Sequence, residues 1–136
     1  MIKAEFYLRK SAKSASSAFH CLTCQKLFYL KTIVLIGAGK SATVLIDYLI
    51  AEAEINRWKF IIADSNREQI LLKTNNSKYA EAVQLDVTNE EQRSKLIQKA
   101  HVVISMMPPA LHFLVAKDCV EYRKHLLIII FKAAPY

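Results

Sequence analysis

The sequence contains few residues that break regular structure. Only two glycines and three prolines occur among its 136 residues, which is too few for a many-turned β-sandwich or a collagen-like or low-complexity chain. No apolar run approaches the 18 or so residues that span a bilayer, so no membrane partner is expected. The longest run has six residues, Leu126 to Phe131, and suits a buried strand. Hydrophobic residues make up 53%, which is enough for the core of one domain.

Cysteines are also scarce, and their number is odd: Cys21, Cys24 and Cys119. Without a secretory signal, this usage favours a reducing compartment, and we expect a cytoplasmic protein. Cys21 and Cys24 form a Cys-x-x-Cys pair with His20 beside it, which supplies at most three ligands. Because a structural zinc site needs four ligands, we expect free thiols and no metal site.

The basic excess is unevenly distributed along the chain. The formal net charge is +7, and residues 1–30 account for +4 of it, with five basic residues against one acidic residue. This Ser/Ala-rich leader lacks helical or strand periodicity, so we expect it to be poorly ordered and dispensable for the fold; a transit peptide and a non-native start remain alternatives. Residues 31–136 are nearly balanced and have no basic stripe with interleaved aromatics, so no nucleic-acid partner is expected.

From residue 31 onwards, apolar β-branched segments alternate with segments of helical periodicity. Ser65 to Glu68 and Thr88 to Glu91 match capping boxes that open helices. The alternation predicts an α/β fold of the Rossmann type, a doubly wound parallel sheet of about five strands in the order 3-2-1-4-5 with helices on both faces. The strands are predicted at 31–36, 59–63, 82–85, 101–105 and 125–131, and the helices at 40–53, from 65, from 88 and at 110–122.

A glycine motif follows the first predicted strand. Gly37-Ala38-Gly39-Lys40-Ser41-Ala42 matches the G-x-G-x-x-G/A pattern that binds a dinucleotide pyrophosphate at a helix N-terminus. Gly37 allows the tight turn, Gly39 the approach of the phosphates, and Ala42 the packing of the helix on the strand. A tight turn without a ligand is the alternative. A P-loop is not supported, because Val34 stands where that motif needs a glycine.

An acidic residue ends the second predicted strand. Asp64 can accept hydrogen bonds from the ribose hydroxyls of NAD and repel the 2′-phosphate of NADP. Arg67 is a nearby base that can hold a 2′-phosphate, although a solvated helix residue is the simpler interpretation. We therefore expect NAD or NADP as the cofactor, with NAD favoured.

The ends of the third and fourth strands complete the predicted crevice, because ligands of doubly wound sheets bind beyond the carboxyl ends of the strands. Asp86 and Val87 follow the third strand, where Asp86 contacts the adenine or only fixes the turn. The loop after the fourth strand passes the nicotinamide side, and His112 lies one turn into the next helix. The cofactor-binding residues of that loop are expected to be Ser105, Met106, Met107 and Pro108.

These segments resemble the saccharopine dehydrogenase family. The resemblance covers residues 31–127 and is carried by Ile33 to Gly39, Asp64, Leu85 to Val87 and, most specifically, by Val103 to Pro108 with His112 and Val115 to Lys117 downstream. It implies the NAD(P)-binding part of an oxidoreductase that acts on the C–N bond of an amino-acid-derived amine such as saccharopine. It also implies that the glycine turn, the acidic strand end and the Ser105–Pro108 loop hold the cofactor.

The family pairs this part with a larger substrate domain, which residues 31–136 lack. We therefore expect a truncated or frame-altered product that is inactive alone, with the substrate domain or a second copy as partner, and we assign no catalytic residue. A stand-alone nucleotide-binding regulatory module is the alternative. A short-chain dehydrogenase is disfavoured, because Tyr122 is followed four residues later by Leu126 rather than by lysine.

Overall fold

The structure is a computed structural model that describes residues 31–130. The expectations for residues 1–30, including Cys21 and Cys24, therefore lie outside the described residues. A single turn of 3-10 helix, Lys40–Ala42, precedes the first α-helix. The strands are β1 Thr32–Ile36, β2 Lys59–Asp64, β3 Ala80–Gln84, β4 Val102–Ser105 and β5 His125–Ile128, and the helices are α1 Thr43–Asn56, α2 Arg67–Thr74, α3 Glu90–Lys99 and α4 Pro109–Glu121.

The five strands form one parallel sheet in the order β3-β2-β1-β4-β5, so the predicted fold class and strand order are confirmed. β1 lies in the centre and is apolar on both faces, as a strand covered by helices on both sides must be. Ile36 is in register with Ala63 of β2 and with Ser105 of β4. The carboxyl ends of the three central strands therefore align, and the segments that follow them meet at one edge.

The sheet separates two hydrophobic cores. On one face, Ile46 and Leu49 of α1 and Ile70 of α2 pack against Leu35 and Ile62. On the other face, Leu96 and Ile97 of α3 and Val115 of α4 pack against Val34 and Ile61. Neighbouring residues of β1 and β2 thus enter opposite cores, which follows from the alternation of side chains along a strand.

Both capping-box predictions are wrong by one residue. Asn66, not Ser65, caps α2, and its side chain accepts hydrogen bonds from the backbone N–H groups of Glu68 and Gln69. Asn89 caps α3 in the same way through Gln92 N–H. The two hydroxyls predicted as caps donate instead to the preceding carboxylates: Ser65 to Asp64 at 3.2 Å and Thr88 to Asp86 at 2.6 Å.

A buried ion pair joins α3 to α4. Arg93 and Asp118 are 2% and 1% exposed, and Arg93 Nε donates to Asp118 Oδ2 at 2.8 Å. Ser94 Oγ donates to the same carboxylate oxygen, and Arg93 Nη1 donates to the carbonyl of Val87 at 2.6 Å. The pair therefore also fixes the segment after β3, which enters the candidate site.

Within residues 31–130, no helix has the length and apolar character needed to cross a membrane. In the same part of the chain, no group of three or more histidine, cysteine, aspartate or glutamate side chains could hold a metal ion.

Candidate functional site

Gly37 begins a tight turn directly after β1. Its φ of +99° lies in a region that residues with a side chain adopt only with strain. Its N–H donates to the carbonyl of Ala63 in β2 at 2.9 Å. A Cβ here would lie 2.9 Å from the carbonyl oxygen of Met106 and 3.2 Å from the sulfur of Met107. The fold itself therefore requires glycine, because the segment after β4 packs directly against this turn.

Gly39 differs from Gly37 both in its backbone conformation and in its packing. Its backbone is extended, with φ −60° and ψ 178°, a conformation that any residue adopts. A Cβ added at Gly39 would meet no atom of residues 31–130 within 4 Å. Neither the backbone conformation of Gly39 nor packing within the described residues requires glycine at this position.

The rest of the motif forms the start of a helix. Ala42 is buried in the core beneath α1, and its N–H donates to the carbonyl of Gly39 at 3.0 Å. Lys40 and Ser41 are exposed. The small residue thus packs while its two polar neighbours face solvent, as expected for a phosphate-binding turn.

Asp64 fastens the end of β2 to the glycine turn. Its Oδ2 accepts a hydrogen bond from Ala38 N–H at 2.6 Å, and its Oδ1 accepts from Asn66 N–H at 3.0 Å and from the Ser65 hydroxyl. A carboxylate offers roughly four acceptor positions, so about one remains for a ribose hydroxyl. The expected contact to both hydroxyls of a ribose would need one of these bonds to be exchanged.

Two basic residues of α2 approach this region differently. Arg67 is exposed, and its Nε donates to the carbonyl of Ala82 in β3 at 3.3 Å. Lys73 reaches the glycine turn itself, where its Nζ donates to the carbonyls of Ala38 and Gly39. Sequence reasoning missed Lys73, since a lysine in the last turn of a helix has no distinguishing local signal.

An open pocket of about 230 Å³ lies beside Asp64 at the carboxyl edge of the sheet. Asp86 and Val87, which we expect to contact the cofactor, line this pocket, and Met107 contributes from the β4 side. The additional lining residues are polar at Ser65 and Thr88 and apolar at Ile36, Ala63, Leu85 and Leu111. A mostly apolar slot bordered by carboxylates and hydroxyls suits a flat heterocycle attached to a sugar.

Asp86 is tied to its own turn. Its Oδ1 accepts hydrogen bonds from the N–H of Thr88 at 2.9 Å and from the Thr88 hydroxyl at 2.6 Å. Both bonds favour the ionised form and lower the pKa of the exposed Asp86 carboxyl below its usual value. Asp86 therefore fixes the turn before α3 and also places a negative charge at the rim of the pocket.

Some residues at and after the end of β4 pack in the interior, and others are exposed. Met106 packs on the core beneath α1 and Met107 on the opposite core, while Pro108 is exposed at the start of α4. Ser105 has no exposed surface, and its hydroxyl hydrogen bonds to His112 Nδ1 at 2.8 Å. The Ser105 side chain therefore belongs to the interior in this structure.

His112 is 7% exposed. Its Nε2 is buried and has no hydrogen-bond partner among the described residues. Together with Ser105 it forms a polar pair beneath the start of α4, within the apolar packing of that helix.

The arrangement fits a dinucleotide. An open glycine, the start of a helix, a carboxylate at the end of β2 and an apolar pocket beyond it follow one another along the edge of the sheet. A pyrophosphate can lie on the turn while the adenosine half extends past Asp64 towards Asp86.

Comparisons with known proteins agree with this geometry. The model of the saccharopine dehydrogenase NADP-binding domain family matches residues 33–133. The chain is 45% identical over 47 residues to α-aminoadipic semialdehyde synthase of Arabidopsis thaliana, which covers 35% of this chain and 4% of that protein. The family resemblance inferred from the sequence is therefore confirmed.

Solved structures share the fold. The apo saccharopine dehydrogenase (L-Glu forming) of Saccharomyces cerevisiae aligns with a TM-score of 0.66 at 24% identity, over 76% of this chain and 22% of that chain. A short-chain dehydrogenase/reductase of Veillonella parvula in complex with NADP aligns with a TM-score of 0.58 at 14% identity, over 72% of this chain and 46% of that chain.

The chain thus spans 4% of the length of the plant protein, 22% of the yeast enzyme and 46% of the bacterial reductase. What it shares with the solved structures is the fold. The family match over residues 33–133 decides the assignment: the chain belongs to the saccharopine dehydrogenase NADP-binding domain family.

Proposed function

We propose that the chain is the NAD(H)-binding part of an oxidoreductase that acts on the C–N bond of amino-acid-derived amines. The observation that carries the proposal is Gly39, a glycine that the protein's own packing does not require, on a turn tied to Asp64. The cofactor would supply hydride transfer. The described residues would hold it: Gly37 to Ala42 at the pyrophosphate, Asp64 at the ribose, and Asp86 and Val87 at the adenine.

The preference for NAD over NADP rests on the charges near the ribose. A 2′-phosphate would bring added negative charge close to the Asp64 carboxylate, which is held in place by Ala38 N–H and Asn66 N–H. Arg67 at the start of α2 donates from its Nε to the carbonyl of Ala82, and its four remaining N–H donors are the groups there that would favour a 2′-phosphate. The family description names NADP. The preference for NAD is therefore a prediction about this chain and not about its family.

Calorimetric titration of the full 136-residue chain with NADH and NADPH tests the preference. We expect NADH to bind at least about tenfold more tightly, a difference of about 1.4 kcal/mol. Asp64→Asn should reduce this ratio, because it removes the repelling charge, whereas Glu121→Gln at the exposed end of α4 removes one negative charge far from the turn. Tighter NADPH binding by the unaltered chain would contradict the preference.

The proposal assigns substrate binding to another part of the protein or to a second copy. The described pocket is assigned to the adenosine, and both of its ionisable lining residues, Asp64 and Asp86, are acidic, so it offers no cation to the carboxylates of an amino-acid substrate. Holding such carboxylates calls for arginine or lysine side chains, and hydride transfer requires the substrate to be fixed about 3–3.5 Å from the nicotinamide. We therefore infer that the 136-residue chain by itself does not oxidise such substrates.

An absorbance assay of NADH tests this inference. The chain is incubated at high concentration with saccharopine and NAD, and separately with lysine, 2-oxoglutarate and NADH. No cofactor conversion above that of a Gly39→Val variant is expected. Sustained conversion that the Gly39→Val substitution abolishes would place a complete active site in this chain and overturn the inference.

A further inference from the structure

Lys73 makes an unusual contact for a lysine at a helix end. Its Nζ lies 2.7 Å from the carbonyl oxygen of Ala38 and 2.5 Å from that of Gly39, more than 30 residues earlier in the chain. A lysine in the last turn of a helix ordinarily stabilises the negative end of its own helix. Lys73 instead spans from α2 to the glycine turn, and its side chain is only partly exposed.

The two carbonyls determine where two N–H groups point. In a planar trans peptide the C=O and N–H bonds point in opposite directions. The carbonyl of Ala38 shares its peptide with the N–H of Gly39, and the carbonyl of Gly39 shares its peptide with the N–H of Lys40. Lys73 holds both carbonyls on one side, with Ala42 N–H as a second donor to the Gly39 carbonyl, so both N–H groups point to the other side.

These N–H groups are suited to an anion. No hydrogen bond joins either of them to another residue of the described part of the chain. They lie beside the open space at Gly39, where an added Cβ would touch no other residue that the structure describes. The preceding peptide is also held, because Ala38 N–H donates to Asp64. A carboxylate and an ammonium group thus hold Ala38 from its two ends.

We propose that Lys73 is a positioning residue for the pyrophosphate of the cofactor. It presents the N–H groups of Gly39 and Lys40 to the phosphates, and its positive charge behind the turn favours their binding. The proposal rests on the proposed dinucleotide function. It predicts that Lys73 acts on the phosphate part of the ligand and not on the adenosine part, which lies towards Asp86.

The experiment measures the affinity of the full 136-residue chain for NADH, ADP-ribose and adenosine, which lacks the pyrophosphate. Lys73→Met should weaken NADH and ADP-ribose at least tenfold and change adenosine less than twofold. Lys73→Arg, which keeps the charge and the donors, should stay within about threefold of the original affinity. Lys99→Met is the matched control, since Lys99 lies in the last turn of α3, and it should change no affinity more than twofold.

Three results would overturn the inference. An equal loss for adenosine would mean that Lys73 supports the whole site, and an unchanged affinity for NADH would mean that the turn holds its shape without it. Unfolding of both Lys73→Met and Lys73→Gln, seen by circular dichroism, would make the lysine a requirement of the fold. If the unaltered chain binds neither NADH nor ADP-ribose, the dinucleotide function itself fails, which is a separate outcome.

Discussion

The glycine turn and the α3–α4 contact use charged residues in opposite ways. Around the turn, Asp64 and Lys73 hold backbone groups, and an acceptor position and two N–H groups remain available to a ligand. Between α3 and α4, Arg93 and Asp118 are almost fully buried and satisfy each other. The second region serves stability, whereas binding is the role that we propose for the first. Substitutions in one should therefore change affinity, and substitutions in the other should change the free energy of unfolding.

The largest expected effect comes from breaking the buried ion pair. Asp118→Ala leaves the Arg93 guanidinium buried without its partner, which should lower the free energy of unfolding by about 3–5 kcal/mol. Urea denaturation measures the change, and Glu121→Gln on the surface of the same helix should have almost no effect. Replacing the pair together, Arg93→Met with Asp118→Leu, should recover most of the loss. A loss below about 1 kcal/mol for Asp118→Ala would contradict the assigned role.

Gly39→Val tests the binding side of the comparison. A branched side chain would fill the space proposed for the pyrophosphate, so affinity for NADH should fall more than about 100-fold, or about 2.8 kcal/mol. The free energy of unfolding should change by less than about 0.5 kcal/mol, as at an unconstrained surface position. Gly39→Ala, which adds only a Cβ, should give an intermediate loss of affinity. Unchanged NADH binding by Gly39→Val would refute the assignment of the turn.

Gly37→Ala tests whether every residue of the glycine turn affects binding rather than stability. Gly37 lies in the turn, but the packing of the protein requires a glycine there. The positive φ and the Met106 carbonyl 2.9 Å from an added Cβ should together cost about 2 kcal/mol of folding stability. Thermal denaturation of Gly37→Ala and Gly39→Ala in parallel provides the measurement. Equal midpoints for the two variants would show that the turn adapts and that the distinction between the glycines is wrong.

The smallest expected effect concerns Cys119, next to Asp118 on α4. Burial and the neighbouring Asp118 carboxylate raise the pKa of its thiol to about 11. A pKa raised on folding stabilises the native state below the ordinary pKa near 9, and this contribution is lost as the pH rises from 9 through 11. Between pH 8 and pH 10 the unaltered chain should lose about 1 kcal/mol more than Cys119→Ala. Parallel pH profiles of the two proteins would contradict the shift.

Local pattern was sufficient for much of the fold and for part of the site. Alternating strands and helices predicted the order of the elements, and the motif from Gly37 to Ala42 predicted the tight turn after β1. The helix caps were misplaced by one residue because Asn66 and Asn89, each one residue further along the chain, supply the side-chain oxygen that accepts from the first N–H groups of the helix. Which of two neighbouring polar side chains becomes the cap depends on backbone angles that the pattern does not specify.

Long-range contacts were beyond such reasoning. Lys73 and Lys99 occupy equivalent places at the ends of two helices, yet Lys73 reaches the turn. Ser105 was expected to hold the cofactor, whereas its hydroxyl is buried against His112. Arg93 and Asp118 belong to residue types that are rarely buried unless paired. Because they are 25 residues apart in the sequence, no local pattern predicts that they form a pair.

The sequence by itself determined the parallel sheet, the position of the glycine turn and the acidic end of β2, because periodicity, β-branching and glycine act over a few neighbouring residues. Only the tertiary structure decided which glycine the packing requires and which charges are buried, as at Gly37 and Asp118. It also decided that Lys73 holds the turn. Those outcomes depend on the packing of α2, α3 and α4 against the sheet, which brings distant residues to within hydrogen-bond distance.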